Sequence, residues 1–222
     1  MDRPMLVMGN RNYSGWSLAA WLGLRYAGIA FDEKVIPLKR ADTGAALAAQ
    51  SPSGRVPVLR SDAFVLWDSL AVLEYVAAMR PAAGLLPEEA TARAVCRAAA
   101  AEMHSGFQAM RKAMPFNARA SLPGRGFGPD GADDAARADV ARLESLWTDC
   151  RERFGADGDF LFGSFSIADA IHAQNASRMR TYAVPLHPTA AAWVDAVLAM
   201  PDMAAWIALA REEPWIIAQQ ER

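Results

Sequence analysis

A chain of 222 residues holds one large or two small domains, and 53% hydrophobic residues fill ordinary cores. The formal net charge of −2 gives no electrostatic reason to expect a nucleic acid or an anionic membrane as partner. The apolar run from Met5 to Met8 is too short for a signal peptide, and no run reaches the roughly 18 residues of a membrane helix, so a cytoplasmic protein is expected. Cys96 and Cys150 share no short motif. They read as reduced, helix-borne thiols, and ligand spacing for zinc or another metal is absent.

In chain order, Met5 to Met8 reads as a first strand and Gly9 to Asn12 as a loop of turn-forming residues. Ser14 and Ser17 offer hydroxyls to cap a helix carrying Leu18, Trp21, Leu22 and Arg25, which Gly28 ends. A second strand lies around Glu33 to Pro37, and a short helix over 42–50. Two apolar runs come next, Val56 to Leu59 and Phe64 to Trp67, with Ser61-Asp62 as the turn of a hairpin. Pro57 heads the first run and suits a cis peptide or a sheet edge, leaving the backbone of Val56 free for something other than a strand. Asp68-Ser69 stops the second run and opens a helix with Leu70, Leu73, Val76 and Ala77 on one face.

The order β-α-β-α-β-β-α implies a four-stranded mixed sheet with helices on both faces. Residues 1–80 are expected to form this α/β unit, and 81–87, with Pro81, Gly84 and Pro87, a linker. From 88 to 222 every readable element is helical, which predicts an all-helical bundle. Its helices are placed at 91–114, 132–154, from about Ser166, at 190–200 and at 202–211, with Trp193, Trp206 and Trp215 as core. The stretch 114–134, rich in Gly and Pro, is the one long break, and loops of that length are usually functional or disordered.

Three groups of residues in this order resemble the cytosolic glutathione transferases along the whole chain. They are Arg-Val-Pro-Val-Leu at 55–59, Asp-Ser-Leu-Ala at 68–71, and Gly-Ser-Phe-Ser-Ile-Ala-Asp at 163–169. The resemblance implies a thioredoxin-like N-terminal domain that binds glutathione as co-substrate, and a helical domain that lines the electrophile site. It places Arg55, Val56, Pro57, Asp68 and Ser69 at the glutathione. The backbone before a cis-proline would hold the cysteinyl part, and the acid–serine pair the γ-glutamyl end. Asp68 departs from the Glu or Gln more usual there but keeps a carboxylate. A homodimer about a two-fold axis is also implied, joining the α/β half of one chain to the helical half of the other. The apolar circumference of the helix from Ser69 and the alanine run Ala98 to Ala101 agree with it.

The chemistry rests on the first loop. Ser14 and Ser17 stand at the spacing of a Cys-x-x-Cys pair, and serines exclude dithiol exchange. A hydroxyl at a helix start can instead donate to a bound thiolate. Lowering a thiol pKa from about 8.5 by about 2 units needs roughly 2.7 kcal/mol. One hydrogen bond to the charged sulfur supplies about 1.5–3 kcal/mol, and the helix start about 0.3–1. The loop resembles the serine-type, zeta-like transferases, which makes Ser14 the catalytic candidate, with Ser17 and Tyr13 as alternatives.

Tyr13, Met103, His104, Phe107 and Arg111 are taken as the substrate-binding set, on the reading that one long helix presents the last four to the cleft. Arg11, Arg119 and Arg125 are candidates for carboxylate recognition by their loop positions. Ser166 and Asp169 read as a capping box. A transferase is the first expectation. A maleylacetoacetate isomerase-like activity and a non-catalytic glutathione-fold binding module stand beside it.

Overall fold

The computed structural model describes residues 3–127 and 134–221. Its sheet has the order β2-β1-β3-β4, from β1 (Met5–Gly9), β2 (Asp32–Ile36), β3 (Val58–Arg60) and β4 (Val65–Trp67). β1 runs parallel to β2 and antiparallel to β3, and β3 is antiparallel to β4. Side chains alternate across the sheet, as a period of two requires. Leu6, Met8 and Leu59 enter the main core under α1 (Gly15–Tyr26) and α3 (Ser69–Met79). Val7, Ile36 and Val58 form a smaller cluster under α2 (Thr43–Ala48), with Ala46 and Leu47.

Local chemistry sets the helix ends. Ser14 caps α1, accepting from the Ser17 N–H. Asp68 caps α3, accepting from the N–H groups of Leu70 and Ala71. α1 is buried on nearly every side. A Cβ at Gly23 would stand 2.4 Å from Leu73 Cδ2, and one at Gly15 would stand 2.5 Å from Gln174 Oε1. The two glycines therefore let α1 close onto α3 at one end and onto α7 (Ile167–Tyr182) at the other.

The remaining helices are α4 (Ala90–Ser105), α5 (Gln108–Ala113), α6 (Asp134–Phe154), α8 (Pro188–Ala199) and α9 (Pro201–Glu212). The single helix expected over 91–114 is two. The chain leaves the helix at Gly106 and turns through Phe107 at φ +58°. A Cβ at Gly106 would meet Glu102 O at 2.8 Å, and Phe107 is buried. Tertiary burial of the ring thus overrides the helical pattern. Trp193 and Trp206 are fully buried, whereas Trp215 is only partly covered and is not core. Of the long break over 114–134, residues 128–133 lie outside the described residues. The part from Pro115 to Arg125 is tied down: Leu122 and Gly124 donate backbone N–H groups to Thr181 O and Tyr182 O.

Cys96 and Cys150 are free, and burial pushes both thiols up to about 12. Burial pushes the His172 imidazole down to about 4, so it is neutral. It accepts from Trp147 Nε1 and faces Ala99 O at 3.1 Å. No single helix among the described residues is long and apolar enough to cross a membrane.

The capping box at the head of α7 is present, and it does more than cap. Fully buried Asp169 accepts from Ser166 N (2.9 Å), Ser166 Oγ (2.6 Å), Leu161 N (2.9 Å) and Trp193 Nε1 (2.8 Å). It therefore joins α7 to the preceding loop and to α8. Loss of a cap costs about 0.5–2 kcal/mol, and each buried donor left without a partner about 1–3. Asp169→Ala is expected to lose about 3 kcal/mol or more, roughly 6–12 °C in melting temperature, while the folded fraction keeps its ligand affinity. Calorimetric melting and a binding titration check this. Lost activity at an unchanged melting temperature is the outcome that excludes the structural role.

Candidate functional site

Two adjoining cavities lie between the sheet half and the helices. One has a volume of about 380 Å³ and includes Asp68, Ser69, Pro57 and His104. The other, of about 530 Å³, includes Ser14, Tyr13, Gln174 and Arg178. They share Trp16, Arg55, Val56 and Arg111. The Val56-Pro57 bond is cis. Val56 lies outside the β ladders, and among the described residues its backbone N–H and C=O carry no hydrogen bond.

Ser14 ends the loop that leaves β1. It is 6% exposed, and that exposure is to the larger cavity. Its hydroxyl donates to Ser17 Oγ at 2.8 Å, and Ser17 Oγ also accepts from Gly9 N at 3.1 Å. Ser17 is fully buried and lines neither cavity. Tyr13 puts its ring on the larger cavity, but its hydroxyl turns away, donating to Glu221 and accepting from Arg119 Nη2 at 3.1 Å. Burial and the Glu221 contact raise the Tyr13 phenol above its ordinary value.

The loop that bears Ser14 is held by residues that no sequence motif singles out. Buried Glu213 accepts from Arg11 N (2.9 Å) and Asn12 N (3.2 Å). Asn12 also accepts from the backbone of Ala118 and Arg119. The Glu221 carboxyl is raised by partial burial, but the bonds from Tyr13 and Arg119 outweigh this and hold it below its ordinary value. The last residues thus fold back over the first loop, and Gln220 joins the wall of the larger cavity.

Two of the three candidate carboxylate-binding arginines bind carboxylates of the chain itself. Arg11 pairs with Glu33 and Glu213, and Arg119 with Glu221. Neither lines a cavity, and Arg125 lines neither as well.

The substrate-binding set also divides. Met103 is fully buried in the core, where its sulfur accepts from Asn175 Nδ2, and Phe107 is buried because the turn after α4 swings it inward. Both are corrections to the expected set. His104 and Arg111 do reach the cavities, His104 with Nε2 3.0 Å from Asp68 Oδ2.

The residue missed is Arg178. It is 6% exposed, on α7, and lines the larger cavity. Its guanidinium donates to Met114 O, Gln174 O and Oε1, and Asn175 Oδ1, and no carboxylate pairs with it among the described residues. Burial pushes it down to about 9, still a cation at neutral pH. Arg111, also on this cavity, is lowered by burial but stays protonated, and Lys112 stands beside it. No acid lines the larger cavity among the described residues. It is therefore a concave site with several cations and no internal counter-ion.

Residues 13–79 match the family model of the glutathione S-transferase N-terminal domain. Outside that segment the likeness to glutathione transferases is one of fold. A probable maleylacetoacetate isomerase of Caenorhabditis elegans is 24% identical over 174 residues, covering 78% of this chain and 80% of that protein. The maleylacetoacetate isomerase of Rattus norvegicus is 27% identical over 114 residues, 49% of this chain and 51% of its own length. A glutathione transferase homolog from Burkholderia gl BGR1, solved with bound glutathione, superposes with a TM-score of 0.70 at 23% identity. The superposition covers 95% of this chain and 99% of that one.

Proposed function

We propose that this protein is a glutathione-dependent enzyme in which residues 1–80 hold glutathione and residues 88–222 complete the electrophile site. The observation that carries the reading is the pair of adjoining cavities, with Asp68 and Ser69 in one, Ser14 in the other, and the unpaired backbone of Val56 between them. That spacing suits an extended γ-glutamyl tripeptide. Its amino-acid end meets the carboxylate and the start of α3, its main chain pairs with Val56, and its sulfur lies at Ser14. Arg55 and Pro57 shape the groove.

Ser14 stabilises the thiolate. Its proton lies toward Ser17 in the structure. Reversal of that bond, with Ser17 donating to Ser14, frees the Ser14 proton for sulfur. Ser17 still accepts from Gly9 N, and two hydroxyls in series strengthen the last donor. The thiolate then attacks an electrophile in the larger cavity.

A second reading is favoured by the unpaired cations of that cavity. Arg178 and Arg111 fit an anionic electrophile. In an isomerase of the kind the curated relatives are named for, the thiolate adds to a cis double bond. Rotation about the resulting single bond comes next, and expulsion of the thiolate restores the double bond as trans. We place the protein in the cytoplasm, acting on small molecules. We also propose a homodimer, because Val65, Trp67 and Met79 on the sheet half and Ala94, Ala98 and Ala101 on α4 are exposed apolar surface in one chain.

Three measurements test this. Ser14→Ala is expected to keep most glutathione affinity by calorimetry and to lose about 10- to 100-fold in turnover, the worth of one hydrogen bond to a charged sulfur. The bound thiol should titrate about 1–2 units higher by thiolate absorbance. Unchanged turnover would send the role elsewhere. Arg178→Met should cut kcat/KM for a maleyl-type substrate about 10- to 100-fold and leave a neutral chloro-aromatic substrate within about threefold, with Arg178→Lys intermediate. Equal losses on both substrates would reject anion recognition. Light scattering at micromolar concentration should give twice 24.0 kDa, and the monomer mass would reject the dimer.

A further inference from the structure

Asp68 uses its two oxygens for different purposes. Oδ1 accepts from Leu70 N at 2.8 Å and Ala71 N at 3.4 Å and so caps α3. Oδ2 faces His104 Nε2 at 3.0 Å, a contact that spans from α4 to the sheet half along the wall of the smaller cavity. The imidazole is placed from other sides as well. Its ring meets Trp16 edge-on at 5.4 Å, and the Arg111 guanidinium lies over Trp16 at 5.1 Å. The other nitrogen, Nδ1, is buried with no hydrogen-bond partner among the described residues.

The charged groups around His104 are few. Arg55 and Arg111 line the same cavity. On its own helix, Glu102 is held by both nitrogens of an Arg142 fork. Asp68 is the single acid on that cavity among the described residues. An ammonium entering the cavity has one carboxylate to meet, and His104 already stands at its free oxygen.

We propose that His104 competes with the ligand's ammonium for Asp68, holding Oδ2 before a ligand arrives and yielding it when an α-ammonium ligand binds. The proposal rests on the glutathione reading, since the γ-glutamyl end of glutathione carries a free α-ammonium. It makes His104 a determinant of affinity at that end. The ammonium must displace the imidazole before it forms its own charge-assisted bond to Oδ2, so removing the imidazole tightens binding at that end. The sign is opposite to that expected if His104 itself met the ligand's carboxylate.

The probe is S-methylglutathione, whose sulfur does not titrate. Calorimetric titration at about pH 7 should give about threefold to tenfold tighter binding to His104→Ala than to the wild-type protein. His104→Gln, which keeps an amide donor, should lie between the two. The analogue with hydrogen in place of the α-ammonium should bind His104→Ala and the wild-type protein equally. Equal or weaker binding of S-methylglutathione to His104→Ala overturns the role of His104, as does the same gain with the analogue that lacks the ammonium. Failure of S-methylglutathione to bind either protein overturns the glutathione reading instead.

Discussion

Helix α1 has almost no face of its own toward solvent, and the placement of the site depends on that. It is packed between the sheet, α3 and α7, and its N-terminus lies under Gln174. Gly15 and Gly23 make the approach possible because neither contact leaves room for a Cβ. A helix confined in this way moves only if both halves of the molecule move. Ser14, at its head, is accordingly fixed relative to the sheet hairpin and to α7 at once. The same confinement places Trp16 on both cavities, and it puts Trp21 against Glu33 and Trp206.

Charge is distributed with a similar logic. Arginines in the loops are neutralised within the chain: Arg11 by Glu33 and Glu213, Arg119 by Glu221. Arg178 is instead satisfied by carbonyl and amide oxygens, which hold its plane without cancelling its charge. A buried cation solvated by dipoles costs more than one in water. It keeps a field directed into the cavity that a salt bridge would have removed. Asp68 shows the converse pattern, spending one oxygen on backbone N–H groups and the other on His104 of α4.

Local signals made the sheet half legible. Turn residues bounded the hairpin and Asp68-Ser69 marked a helix start, so the element order and a mixed four-stranded sheet could be read, whereas the short apolar runs carried no sign of register or of faces. The capping box of α7 was equally local. The corrections all concern residues whose place is decided over long sequence distances. Met103 and Phe107 fit a helical stripe shared with His104, but the α4 face that carries Met103 packs on α7, against Asn175, and the turn at Gly106 rotates Phe107 into the core. The glycine was the available sign. Arg178 sits among Gln174, Asn175 and Ser177, a polar run that reads as a solvated face, whereas α7 is buried on almost all sides. No periodicity distinguishes a polar face turned to water from one turned to a cavity. Glu213 and Glu221 gave no signal, since their partners lie at the opposite end of the chain.

That last arrangement bears on how the molecule is made. The bond from Arg11 N to Glu213 joins positions 202 apart in sequence. A chain emerging from the ribosome N-terminus first forms its domains in that order, so the sheet and α1 assemble while the segment that fastens the first loop is still unmade. Until Glu213 arrives, the N–H groups of Arg11 and Asn12 have only water for partners. The bonds that fix the loop beside Ser14 are thus completed only when a residue 202 positions further along has been made.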